Sequence, residues 1–245
     1  MAKSRVLVDW LRAVEQHETA VPEKEAVHQM RVAARRLRAA LRLLKLRELE
    51  PAVKRLQDAL GGVRDLQLQV DWLEGRDAGL HRARKAELRK AEQALQRQLR
   101  TWRARTLPAL LGAAADDSSP SARTAAKQLR KRLDRLEERL ERAQARLTPK
   151  ALHRARISVK GVRYLLEVAK DSLPRKAAAL ESDLKTLQAT LGELHDVDVR
   201  IGLIKRNRRL LRDQKEARAQ LSKIIAAQLG RWREEKVAKR VRKAL

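Results

Sequence analysis

Apolar residues that recur every three or four positions over long stretches constrain this chain more than any other feature. Val27, Met30, Ala34, Leu37, Leu41 and Leu44 follow one another at intervals of 3, 4, 3, 4 and 3, and Leu152, Ala155, Val159, Val162, Leu166 and Ala169 do the same. That spacing holds each set on one face of a helix and gives the face a seam to bury against other helices. Composition agrees. With nine Gly and six Pro in 245 residues, the chain has too few turn-formers for a many-stranded β protein. Its Ala, Leu, Arg, Glu and Gln are helix formers. Pro22, Pro51, Pro149 and Pro174 each precede a helical pattern, where a first-turn proline is tolerated, and Thr148 is an expected N-cap. The pattern predicts eight helices, over about 3–19, 23–48, 51–73, 80–111, 121–147, 150–172, 175–206 and 210–243, with a break near Arg206-Asn207-Arg208.

The two halves match each other. Val27-His28-Gln29-Met30-Arg31-Val32 aligns with Leu152-His153-Arg154-Ala155-Arg156-Ile157 at an offset of 125, and Arg35 and Arg38 align with Lys160 and Arg163. Leu56-Gln57-Asp58-Ala59-Leu60-Gly61 aligns with Leu187-Gln188-Ala189-Thr190-Leu191-Gly192 at an offset of 131, with Lys54 and Asp65 matched to Lys185 and Asp196. Leu99 and Trp102 have counterparts in Leu229 and Trp232. A period this long predicts two homologous four-helix units rather than a short-repeat solenoid. The expected organisation is one repeat over about 3–112, a linker over 113–120 carrying the polar run Asp116-Asp117-Ser118-Ser119-Pro120, and a second repeat over about 121–245.

Charge says what such a chain meets. Lys and Arg number 58 against 31 Asp and Glu, a net charge of +27 at pH 7, so the default partner is polyanionic. On the first seam helix, His28, Arg31, Arg35, Arg38, Arg42 and Lys45 repeat the apolar spacing shifted by one residue, about 100° around the helix. The basic stripe therefore flanks the buried seam. Residues 26–47 hold seven Arg and Lys and no acid. On the second seam helix His153, Arg156, Lys160, Arg163 and Lys170 flank the seam, with Glu167 the one acid in the row. Both rows are expected to lack partners for local neutralisation, in contrast to residues 130–146, where Arg132, Arg135 and Arg139 mix with Asp134, Glu137, Glu138 and Glu141. Guanidinium forks suit phosphate oxygens, and His28 to Arg38 spans about 15 Å of helix, the reach of an extended polyanion.

These residues resemble a known family. His28-x-x-Arg31-x-x-x-Arg35-Arg36-x-Arg38 and His153-x-x-Arg156-x-x-x-Lys160-x-x-Arg163-Tyr164-x-x-Glu167 are similar to the two repeat motifs of the CHAD domain, the conserved histidine α-helical domain. Leu60-Gly61-x-x-x-Asp65 and Leu191-Gly192-x-x-x-Asp196 resemble the helix that follows each motif. The resemblance covers essentially the whole chain, as a single domain over 1–245, and Gly161 departs from it where a basic residue is expected. It implies an all-α fold of two antiparallel four-helix bundles related by a pseudo-twofold, with the motif helices lining a basic central channel that binds inorganic polyphosphate. The polyphosphate-binding residues it points to are His28, Arg31, Arg35, Arg38 and Arg42 in the first half and His153, Arg156, Lys160 and Arg163 in the second, with Lys54 and Lys185 adding to the channel. A stand-alone, non-catalytic binding module is expected, since no Glu-x-Glu-x-Lys start of a triphosphate-tunnel domain is present. Some stand-alone relatives associate with polyhydroxyalkanoate granules.

Other chemistries have weaker signals. A nucleic-acid-binding basic helical protein would carry the same charge, yet Trp10, Trp72, Trp102 and Trp232 sit at packing positions and form no stacking array. The five His make no HxxxH or HExxH pair, and His195-Asp196-x-Asp198, which invites a metal-dependent hydrolase, has Arg64 opposite His195 in the repeat. No metal or other cofactor is expected. Asp65 and Asp196 are expected to hold an Arg of a neighbouring helix in place, or to offset charge. Absence of Cys excludes disulfides, thiolate metal sites and a Cys nucleophile. The N-terminus has no apolar signal core and no stretch of 18 apolar residues occurs, so a cytoplasmic protein is expected.

Overall fold

The apolar spacing folds into helices throughout. The computed structural model describes residues 5–115, 120–178 and 180–245; most of the expected linker, Asp116 to Ser119, lies outside the described residues. Among the described residues there is no strand. The chain divides into two units, Met1–Pro120 and Ser121–Leu245.

In the first unit α1 is Arg5–Glu15, α2 Lys24–Leu43, α3 Glu50–Leu73, α4 Ala78–Thr101 and α5 Leu107–Ala115, with one π turn, Trp102–Thr106, joining the last two. α1 packs on α2, α2 on α3, α3 on α4, and α5 returns to α1. Leu7, Leu11, Met30, Leu37, Leu56 and Trp102 lie in its buried core. The expected uninterrupted helix 80–111 is thus broken by a wide turn. Pro108 supplies the reason: it has no N–H to give to Ala104, and a widened turn just before it absorbs the misfit.

In the second unit α6 is Ala122–Arg146, α7 Pro149–Val168, α8 the single turn Arg175–Ala178, α9 Leu180–Leu203, α10 Arg208–Glu234 and α11 Val237–Ala244. α6 packs on α7, α7 on α9, α9 on α10, and α10 on α6. α11 lies against α8 and α6, where Arg242 donates to Asp134 at 2.9 Å and to Glu137. Leu129, Leu133, Leu140, Val159, Leu184 and Leu229 are buried.

Several helix ends follow the sequence. The Thr148 hydroxyl accepts from the Ala151 N–H at 3.3 Å, with Pro149 in the first turn. Asn207 accepts from the Leu210 N–H at 3.2 Å and caps α10 at the expected break. Others differ. The first helix stops at Glu15 rather than 19, and the helix expected over 210–243 divides at Lys236, whose φ is +50°. α2 ends at Leu43, not 48: Lys45 is left-handed at φ +66° and the Leu46 N–H returns to the Leu41 carbonyl at 2.9 Å. That is the six-to-one bond of a Schellman ending, with lysine where glycine is favoured. Lys45 and likewise Lys170, which falls in a 3-10 turn after α7, therefore leave the helical stripes to which their spacing assigned them.

Candidate functional site

On α2, Val27, Met30, Ala34, Leu37 and Leu41 are fully buried. One residue further round, His28, Arg31, Arg35 and Arg38 are half-buried and Arg42 is exposed. The basic row borders the seam, as a rotation of about 100° per residue requires. α3 receives it. Arg38 donates through Nε to Glu50 at 2.9 Å and through Nη1 to Gln57 at 2.8 Å, and Arg42 reaches the same Glu50 oxygen at 2.6 Å. Arg31 pairs with Asp65 at 3.3 Å, and its guanidinium packs over Gly61, with Nε 3.6 Å from where a Cβ would stand, an ordinary contact distance. Asp65 thus holds an Arg of the neighbouring helix, as its position suggested.

The expectation that this row cannot be neutralised locally is corrected here. The acids come from α3, not from α2, and sequence reasoning confined to one helix does not find them. The signal was present: Glu50, Gln57 and Gly61 recur at intervals of 7 and 4 on one face of the next helix. Burial alone would raise the Glu50 carboxyl, but hydrogen bonds from Arg42 and Arg38 hold it below the usual carboxylate range. Lys54, one turn beyond Glu50, is exposed and paired with Asp58.

α7 carries the second row. Its seam residues Leu152, Ala155, Val159, Val162, Leu166 and Ala169 are buried. His153 is exposed, and Arg156, Lys160 and Arg163 are half-buried. Arg163 donates to Glu167 at 2.7 Å within the helix, both side chains being little exposed. The corresponding correction is smaller here, because the sequence already singled out Glu167. At Gly161, where the motif wants a basic residue, α6 provides one: Arg132 donates to the Gly161 carbonyl at 2.5 Å, its Nη1 lying 3.6 Å from a would-be Cβ. Arg139 of α6 donates to Ser158 at 2.8 Å. Neither arginine was among the expected site residues. Lys185 is exposed on α9, as is Asp196.

The histidines are set by these rows. The rings of His153 and His195 lie 5.2 Å apart, tilted by 41°. Burial, then the charge of Arg156, holds both below the ordinary imidazole value, and Lys160 adds to it. His28 is lowered by burial and next by Arg64, a residue of α3 that sequence reasoning used only as a repeat counterpart. In all three the shift favours the neutral ring. Among the described residues, no group of three or more His, Asp or Glu is placed to hold a metal ion. No helix among them is long and apolar enough to cross a membrane. Trp102 and Trp232 are buried, while Trp10 and Trp72 carry the Arg36 and Arg76 guanidiniums over their rings at 4.8 and 5.7 Å.

Comparison with solved structures finds the crystal structure of the CHAD domain from the plant Ricinus communis, with a TM-score of 0.65 and 25% sequence identity over 92% of this chain and 89% of that one. No curated protein gives a match. The family model for the CHAD domain matches residues 5–205, from the start of α1 to just past the end of α9. Matched in sequence along most of its length, and in fold by a solved relative, this all-α chain belongs to the CHAD domain family.

Proposed function

We propose that the chain is a non-catalytic binding module for inorganic polyphosphate, held by the basic rows of α2 and α7. The residues that would contact it are His28, Arg31, Arg35, Arg38 and Arg42 in one unit and His153, Arg156, Lys160 and Arg163 in the other, with Lys54 and Lys185 alongside. One observation carries the reading: on each of two helices, basic side chains at the motif spacing lie half-buried along the border of the seam. Ordinary solvated lysines and arginines would extend away from it. The α3 and α7 carboxylates fix the guanidiniums of Arg31, Arg38 and Arg163 in place, so little side-chain entropy is left to lose when phosphate oxygens arrive. With 58 cationic against 31 anionic side chains, the chain as a whole keeps a large positive excess after all internal pairing. Family membership supports the same ligand. The twin four-helix bundles and the central channel implied by the resemblance belong to the proposal, and its support comes from each unit taken by itself.

Binding by charge neutralisation releases counterions. A polyanion engaged by six or so guanidiniums should lose about a thousandfold in affinity between roughly 50 and 200 mM salt. Replacing Arg31, Arg35, Arg156 and Lys160 together by Gln should remove at least about tenfold in affinity for long-chain polyphosphate while circular dichroism stays helical. Unchanged affinity in that variant refutes the site. Competition between polyphosphate and duplex DNA at physiological salt separates this reading from a generic nucleic-acid binder: equal displacement by the two polymers overturns selectivity for polyphosphate.

A further inference from the structure

The facing pair of rings on α7 and α9 was not foreseen as a unit. His195 was set aside in sequence because its repeat counterpart is Arg64. In the structure that substitution acquires a meaning. In the first unit the motif histidine, His28, has the permanently charged Arg64 beside it, with Arg31, Arg35 and Glu25 around. In the second unit the motif histidine, His153, has a titrating group in that role, His195, at 5.2 Å between ring centres.

We propose that His195 joins His153 as a proton-gated anion ligand: the two rings take up protons as a phosphate group binds, so the second unit's share of binding strengthens as pH falls. The proposal rests on the polyphosphate reading above and adds a ligand and a mode of regulation to it.

The surroundings favour this. Arg156 and Lys160 on α7 face both rings, and Asp196 on α9 is the acid acting on His195. From the other elements packed on these helices, α6 brings Arg139, held by Ser158 and the Arg154 carbonyl, and α10 brings Arg218, held by Asp198 at 2.7 Å. α8, packed on α9, carries Arg175, which is exposed. Cations thus outnumber acids around the two rings, a setting that repels a metal ion and welcomes an anion. Two imidazoliums at this separation, beside Arg156 and Lys160, repel one another, so without a ligand the pair resists protonation. A phosphate oxygen within hydrogen-bond reach reverses that balance, because opposite charge favours the imidazolium and both ring nitrogens then donate. Anion and proton therefore bind cooperatively and reciprocally.

The test is a pH series of long-chain polyphosphate binding by the full chain at constant ionic strength, from about pH 8 to about pH 5.5. Internal groups of that polymer stay ionised throughout. Affinity of the natural protein should rise by up to about tenfold per pH unit for each proton taken up. Some slope belongs to His28 and persists in every variant. His195→Asn should lose part of the slope and bind more weakly at low pH. His195→Arg should bind more tightly than the natural protein at about pH 8 and also show a shallower slope, since its charge is fixed. A merely structural role for His195 would change both variants alike and leave the slope intact. Histidine ring NMR with tripolyphosphate as probe should show the His153 and His195 titrations moving upward on binding. Intact binding with equal slopes in the natural protein and His195→Asn overturns the proposal and leaves the polyphosphate reading standing. No binding at any pH overturns both.

Discussion

Glu50 accepts from both Arg38 and Arg42 at the start of α3, and so decides where two site guanidiniums point. Replacing it by Gln leaves Arg38, only 14% exposed, without its carboxylate. A loss of roughly 1–3 kcal/mol is expected, read as a lower melting temperature. Added polyphosphate should raise that temperature more in Glu50→Gln than in the natural protein, because the freed guanidiniums gain most from the new anion. The imidazoles give a pH dependence of the opposite kind to a salt-bridged cation. His28, His153 and His195 have folded values below the ordinary 6.5. Their unfolded forms therefore take up protons first, and the stability they contribute is full above that value and is lost as pH falls through it. Melting temperature of the ligand-free protein should drop from about pH 7.5 to about pH 5.5, and saturating polyphosphate should flatten the drop. Most residues of each row were legible in sequence, because a stripe on one helix is a matter of local spacing; Lys45 and Lys170 fell outside because the helices end before them. Which acids meet them was not: Glu50 is 12 residues from Arg38 in sequence, and only the packing of α3 on α2 brings them into contact.

The helices themselves were legible wherever a seam and a cap coincide, as at Thr148-Pro149, where hydroxyl, proline ring and first buried Leu152 agree. They were illegible where the backbone turns without a turn residue. Lys45, Leu147 and Lys236 all take positive φ, and nothing in their side chains announces it, since glycine is the usual occupant. This yields an element-scale prediction. Lys45→Gly should stabilise the first unit by up to about 1 kcal/mol through relief of left-handed strain, as seen in thermal unfolding. Because Lys45 lies beyond the helical row, polyphosphate affinity should change far less than on neutralising Arg35. A loss of affinity in Lys45→Gly equal to that of Arg35→Gln would return Lys45 to the stripe. The wide turn at Trp102–Thr106 was invisible for a related reason: Pro108 signals a disturbance, but local sequence does not decide whether a helix kinks, stops or widens there.

At the scale of the whole chain, the structure divides at Pro120 into two units, each with a helix whose basic row flanks its seam. Sequence could not say how much each half departs from the other. Gly161 shows this best, since its carbonyl accepts from Arg132 of α6, a charge supplied from a neighbour rather than by the motif. The charge excess was plain from composition, and it carries the salt sensitivity expected of any polyanion partner. The end of the family match has a practical consequence. It stops at residue 205, while α10 begins at Arg208 and sets Ile225, Leu229 and Trp232 into the second core, against α9 and α6. Anyone trimming an expression clone to the matched segment would strip one wall from that unit and bare a greasy trough. Such a fragment should come out as inclusion bodies, and a clone carried through α10 should not.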